Sequence, residues 1–304
     1  MSTTTTGIER YLATVAAEVE EALDRLLPAE AREPRELHRA MRYSALGGGK
    51  RVRPALVCLG AELFGGDRPS VLPLACAFEC VHVYSLIHDD LPAMDDDDFR
   101  RGKPSSHKAF GEALAILAGD ALLTYAFELA AASTADPARA RGAVVELARA
   151  AGPAGMVAGQ TLDLRGEGRT PEPRCEDLDA LRTIHLAKTG ALIAGAIRAG
   201  AVHAGASSPQ VDVVGDYGRF LGLAFQVVDD VLDVEGTTAA LGKTAGKDAA
   251  AGKLTYPRLL GLKSARAYAC ELVDQAKGAI RVFDDRPAAA LLGELADLVR
   301  DRRS

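Results

Sequence analysis

Two acidic runs stand out in this 304-residue chain, HDDLPAMDDDDFRRGK at 88–103 and FQVVDDVLDVEG at 225–236. Each closes a long apolar stretch that reads as buried helix. Carboxylates set beside so much apolar sequence need neutralising, and metal ions are the obvious agents. Asp229 and Asp233 are i and i+4, so a helix places them on one face about 6 Å apart along its axis, with Asp230 turned roughly 100° away. Asp89 and Asp95 are six residues apart and would diverge on an ideal helix. Pro92 lies between them, and the kink or stop it imposes can gather Asp89, Asp90 and Asp95. Hard carboxylate oxygens suit magnesium, which keeps several waters and bridges a few carboxylates to substrate phosphates. A phosphate-bearing ligand is therefore implied. Most charge runs are simply solvated faces, and that reading stays open for either run taken alone. Neither run has the Gly at position six or the Glu at position twelve of an EF-hand loop. Cations recur near both, at Arg100, Arg101, Lys188, Lys243 and Lys253.

A second constellation is GGGKRVRP at 47–54. Its glycines allow the backbone to approach an anion and Lys50, Arg51 and Arg53 favour one, so it reads as a diphosphate cradle. It also reads as a helix-capping glycine followed by surface charge. It is not a P-loop, because the Gly-x-x-x-x-Gly-Lys-Ser/Thr pattern is absent. His82 and Glu79 are the polar breaks in an otherwise apolar segment, and a histidine so placed is more often a satisfied core residue than a ligand. Lys188, Thr189 and Gly190 sit inside a long apolar segment, where the glycine marks either a local break that exposes backbone or a close helix crossing. Gln226 precedes Asp229 by three residues and shares its face. The stretch 237–257, with three glycines and Lys243, Lys247 and Lys253, reads as a basic loop able to fold over a phosphate.

The elements that must position these residues are all helical. Apolar spacing predicts helices over 8–27, closed by Pro28, and over 34–46, 55–64, 71–91, 107–131, 138–164 with an interruption at Gly152 and Pro153, 176–202, 209–234, 256–280 and 286–302. Residues 1–7 read as a frayed tail and 165–175 as a loop, not a domain linker. The 71–91 helix is apolar almost all round and belongs at the centre. No segment shows period-2 alternation. The expectation is one all-α domain spanning 1–304. A content of 48% hydrophobic residues supplies ample core, and a net charge of −6 argues against a nucleic-acid binder. Five scattered cysteines without a CxxC pair fit reduced thiols in a cytosol, so a soluble, cytoplasmic protein without stable membrane insertion is expected. The N-terminus has no apolar signal region, and no run of about twenty uncharged apolar residues occurs.

With these motifs placed, the chain resembles the trans-isoprenyl diphosphate synthases, and among them the short-chain bacterial farnesyl diphosphate synthases. The resemblance runs from about 35 to 300 through GGKRVRP, YSLIHDDLPAMDDDDFRRGKPSSH, ILAGDALL, GQTLDL, HLAKTGALI, GLAFQVVDDVLDVEG and LGKTAGKDAAAGKLTYP, in family order. It implies a single all-α bundle around a central cavity, with the two Asp motifs facing each other, usually in a homodimer. It implies that Asp89, Asp90, Asp95, Asp229, Asp230 and Asp233 hold three Mg2+ ions that bind an allylic diphosphate. Arg100, Lys188, Thr189, Gln226, Lys243 and Lys253 match positions that contact that substrate. Gly49, Lys50, Arg53, His82 and Arg101 match the site for isopentenyl diphosphate.

Product length is expected to depend on whatever closes the cavity along the helix carrying Asp89. Tyr84 lies five residues earlier, about 7.5 Å along the axis, with its side chain tilted deeper. Ser85 is small and would stop little. In the resembled family an aromatic at the place of Tyr84 accompanies a fifteen-carbon product, so farnesyl diphosphate from dimethylallyl or geranyl diphosphate is expected. Geranylgeranyl diphosphate is the alternative. A class I terpene cyclase should carry an Asn/Ser/Glu triad in place of Asp229, Asp230 and Asp233, and a non-catalytic partner subunit would tolerate loss of the Asp and Lys residues kept here. No Ser-His-Asp or Cys-His arrangement calls for a covalent intermediate.

Overall fold

The computed structural model of the chain describes residues 6–174, 176–235 and 253–302. Helix α1 (Gly7–Leu26) begins at a capping box, in which Thr6 and Glu9 satisfy each other's backbone N–H. It is followed by α2 (Arg35–Ala45), α3 (Val52–Leu63) and α4 (Arg68–Asp89). Asp67 caps α4 by accepting the Ser70 N–H. Helix α4 buries Phe78, Cys80, Val81, Val83 and Tyr84 among neighbours on several sides, as its all-round apolar sequence demands.

Beyond α4 come the short α5 (Ser106–Phe110), then α6 (Glu112–Ala131), α7 (Pro137–Ala151), α8 (Met156–Gly166) and α9 (Leu178–His185). Helix α10 (Ala191–His203), the long α11 (Ser208–Glu235), α12 (Tyr256–Leu260), α13 (Leu262–Ile280) and α14 (Pro287–Arg300) complete the described helices. One core joins these helices, running from Ile8 on α1 to Val299 on α14. Helices α4 and α6 are long and apolar enough to span a membrane by length and composition, but two-thirds of the apolar window of α4 is buried inside the protein.

Several boundaries depart from the periodicity. The stretch 107–131 splits at Gly111 (φ 84°) and 256–280 at Gly261 (φ 78°), left-handed positions that glycine takes without strain. The expected absence of strands is corrected by a two-residue hairpin, β1 (Phe99–Arg100) paired antiparallel with β2 (Lys103–Pro104). Helix α8 also runs on to Gly166, so the loop after it starts later than its composition suggests.

Where α3 crosses α10 the backbones meet directly. A Cβ on Gly60 would lie 2.3 Å from the Ile197 carbonyl oxygen, and one on Gly200 2.0 Å from that of Val57. Between α9 and α10 the chain forms a single π turn, Leu186–Gly190, which carries Lys188 and Thr189. Such turns widen a helix and aim side chains that an α turn would bury. The other side of this turn is crowded too: a Cβ on Gly222 of α11 would meet the Gly190 Cα at 2.6 Å. Both sequence readings of Gly190, a local break and a close crossing, describe what the structure contains.

Candidate active site

The first acidic run forms where α4 ends. Asp89 closes the helix, Pro92 follows, and the chain folds back so that the Asp95 N–H donates to the Asp89 carbonyl at 2.8 Å. The Asp89 carboxyl is pushed up to about 6, chiefly by burial, with nearby Asp95 and Asp90 adding to the rise and Lys188 and Arg100 opposing it. Asp90 is buried and is held by the Arg100 guanidinium, which donates to it from Nε at 3.1 Å and also from Nη2. Burial still leaves Asp90 above the usual carboxylate range despite that partner. Negative charge that the local cations do not balance is what a hard divalent ion relieves, so these residues fit magnesium.

The π turn connects this run to the second. Lys188 Nζ donates to Asp163 at 2.6 Å, and Thr189 Oγ1 donates to Gln226 Oε1 at 2.7 Å, one helical turn before Asp229 and Asp230. Asp229 and Asp233 are half-buried on α11. Asp229 accepts from Arg302 Nη1 at 2.8 Å, and the Arg302 guanidinium lies 4.3 Å over the Phe225 ring. Asp230 is buried and accepts the Tyr256 N–H at 2.9 Å, so one of its oxygens serves the start of α12. Lys253 reaches Glu167 at 3.0 Å and is held above the ordinary lysine range by Asp163 and Glu167, despite burial that acts the other way. Lys243 and Lys247 fall outside the described residues.

The cradle forms as a cavity of about 520 Å³ whose wall includes Gly49, Lys50, Arg53, His82 and Arg101. These five residues come from three segments. Gly49 is needed for close approach: at φ 128° a Cβ there would lie 2.9 Å from the Arg101 guanidinium carbon. Arg101 in turn donates from Nη1 to the Gly48 carbonyl, clamping the glycine loop to the hairpin. His82 is held neutral, its pKa driven well below the ordinary value by burial and by Arg53, Arg101, Arg51 and Arg100. Arg51 does not reach into solvent as a cradle cation. It is buried, donates to Glu79 and also to Glu20 at 2.5 Å and to the Ala45 carbonyl at 2.7 Å. Ser85 turns back to donate to the His82 carbonyl at 2.8 Å.

A further group, Asp96, Asp98 and His107, brings ligand atoms within 4.8 Å of one another. Asp98 there is paired with Lys108 at 2.8 Å, and His107 Nδ1 with Ser105 Oγ at 3.0 Å. Sequence reasoning gave no role to Asp163 or Glu79. The signals for both were present: Asp163 stands in GQTLDL, four residues after Gly159, and Glu79 lies one turn before His82 on the same face of α4.

A family model described as "Polyprenyl synthetase" matches residues 34–284, most of the chain. The chain belongs to the polyprenyl synthetase family. Its fit to the family extends to individual relatives. The large subunit 1 of a heterodimeric geranylgeranyl pyrophosphate synthase from Arabidopsis thaliana is 48% identical over 298 residues, 97% of this chain and 79% of that protein. A geranylgeranyl pyrophosphate synthase from Capsicum annuum is 47% identical over 294 residues, 96% of this chain and 78% of that one. The apo structure of an FPP/GFPP synthase from Zymomonas mobilis superposes with a TM-score of 0.86 at 39% identity, covering 98% of this chain and all of the other. A geranylgeranyl pyrophosphate synthetase from Pyrococcus horikoshii gives 0.87 at 29% identity, again covering 98% of this chain and all of that one. The part of this polyprenyl synthetase that the family model matches spans both acidic runs and the GGGKRVRP loop.

Proposed function

We propose that this trans-prenyltransferase joins isopentenyl diphosphate to an allylic diphosphate and elongates as far as geranylgeranyl diphosphate. The observation that carries the reaction class is the cradle: Gly49, Lys50, Arg53, His82 and Arg101 meet on one cavity wall. Arg302 on that wall bonds Asp229, and Arg100, beside Arg101, bonds Asp90. Support for the twenty-carbon product comes from relatives named as geranylgeranyl synthases at 47–48% identity. A second reading, farnesyl diphosphate, is favoured by Tyr84, a buried ring five residues before Asp89 that packs edge-on against His88 at 5.5 Å.

Asp89, Asp90, Asp95, Asp229 and Asp233 would hold magnesium, which when bound supplies Lewis-acid stabilisation of charge on the departing diphosphate. Lys188, Arg100 and Lys253 add fixed positive charge, so the allylic C–O bond can break with its electron pair leaving on the diphosphate. Thr189 Oγ1 and Gln226 Oε1 offer oxygen dipoles to the carbocation while the apolar core keeps water away. The double bond of isopentenyl diphosphate forms the new C–C bond, and the proton lost from the adjacent carbon passes to the released diphosphate. Neutral His82 and the cradle cations hold the isopentenyl diphosphate group throughout.

The test is incubation with labelled isopentenyl diphosphate, magnesium and separate allylic starters, with chain lengths read by chromatography. A twenty-carbon majority supports the first reading and a fifteen-carbon majority the second. In the same assay Tyr84→Ala lengthens the main product by at least one five-carbon unit. An unchanged length would show that another residue closes the cavity.

We also infer a homodimer formed through α6. This helix is apolar over a long window of which only 39% is buried, and it exposes Ile116 (43%) and Leu117 (56%). Exposed apolar side chains of this size on one helix suit a partner. Leu117→Glu converts the dimer to monomer in size-exclusion chromatography with light scattering; a wild-type monomer would dismiss the inference.

A further inference from the structure

Glu79 is 2% exposed, yet it stands on the wall of the cradle cavity together with Lys50, Arg51, Arg53, His82 and Arg101. It accepts from Arg51 Nη1, and its Oε1 lies 4.0 Å from Arg101 Nη2. Its charge also reaches Arg53, where it opposes the lowering of the guanidinium pKa by burial. The other carboxylate on this wall, Glu9, is exposed and occupied at the start of α1 by the Thr6 N–H at 2.8 Å. Glu79 is thus the buried negative charge among the cradle's cations.

A purely structural role would make Glu79 the partner that lets Arg51 be buried. Arg51, however, has two further acceptors, Glu20 at 2.5 Å and the Ala45 carbonyl at 2.7 Å. The position of Glu79 between Arg51 and Arg101 is not needed for that. We propose that Glu79 is a counter-charge that weakens diphosphate binding in the cradle and so lets the elongated product leave it. The proposal rests on the cradle being the isopentenyl diphosphate site. In the condensation that diphosphate is never cleaved: the new bond is C–C, and the group stays attached to the product. It must quit the cradle after every addition, whether for release or for transfer to the allylic site. Lys50, Arg53 and Arg101 without an internal carboxylate would hold a trianion too long.

The decisive variant is Glu79→Gln, which keeps an oxygen able to accept from Arg51 and removes only the charge. Titration calorimetry with isopentenyl diphosphate alone compares wild type, E79Q and E20Q; Glu20 also pairs with Arg51 but does not line the cavity. E79Q binds about tenfold more tightly than wild type, and E20Q stays within about twofold. In steady state E79Q lowers both KM for isopentenyl diphosphate and kcat, with KM for the allylic substrate unchanged. Loss of an ordinary structural contact would raise KM or reduce the active fraction instead. Unchanged or weaker binding by folded E79Q overturns the proposal. Wild type that fails to bind isopentenyl diphosphate overturns the cradle assignment itself. Should E79Q not fold, wild-type crystals soaked with inorganic diphosphate decide: an oxygen within about 10 Å of the Glu79 carboxylate supports the counter-charge, and a greater distance, at which salt screens the interaction, refutes it.

Discussion

Replacing Asp89 by Asn lowers kcat by about a thousandfold, the scale on which removing one preorganised electrostatic group acts, while the protein stays folded. Asp89 ends α4 at the point where the chain turns back through Pro92, and its backbone carbonyl, not its side chain, accepts the Asp95 N–H. The turn therefore survives the substitution. What is lost is a carboxylate whose pKa burial has raised to about 6, beside Asp95 and Asp90 of the same sign. Removing that charge relieves repulsion in the free protein, so thermal stability holds or rises slightly as activity falls. Opposite movements of these two quantities distinguish a site residue from a scaffold residue. Steady-state rates at saturating magnesium, with melting followed by circular dichroism, check the expectation. A D89N protein within tenfold of wild type would remove Asp89 from the reaction.

What the sequence made legible was everything that repeats or stands out locally. The apolar period gave α1, α4 and α11 close to their true limits, and the acidic runs and GGGKRVRP marked out the carboxylates and the glycine loop by local composition alone. The breaks at Gly111 and Gly261 were lost because each depends on one residue's left-handed φ inside an apolar stretch that otherwise reads as helix. The β1–β2 hairpin was lost because two-residue strands are too short to alternate. Arg51 was read as one more cation of the cradle. Its burial against Glu79, 28 residues away, and Glu20, 31 away, is a tertiary event that local pattern does not encode. Asp163 is similar: its role depends on Lys188, 25 residues on, being turned toward it by the π turn. Chain length is the remaining case. Tyr84 announces a possible floor by type and spacing, yet the names of the relatives point to a longer product. One ring does not fix how deep the cavity behind it is.

Gly159→Val is the second large effect, and it tests whether the π turn is what aims Lys188. Gly159 lies on α8 in GQTLDL, and a Cβ there would lie 2.0 Å from the Lys188 amide nitrogen and 2.4 Å from its Cα. Backbone, not a flexible side-chain tip, is in the way, so α8 and the π turn must separate. Overpacking of this kind costs about 3 kcal/mol. The same separation pulls Lys188 away from Asp163 and Thr189 away from Gln226, and displacement of catalytic groups by about 1 Å is expected to lower kcat by about a hundredfold. Gly60→Val supplies the contrast. It forces apart α3 and α10, where the new Cβ would lie 2.3 Å from the Ile197 carbonyl oxygen, at a crossing that carries none of the acidic runs. Both variants therefore lose stability in urea titrations, but rates normalised to folded protein fall steeply only for Gly159→Val. Equal normalised rates for the two would mean that Lys188 is placed by its own partners and not by the turn, because a side chain tethered only by its ion pair to Asp163 could follow that carboxylate as the helices move.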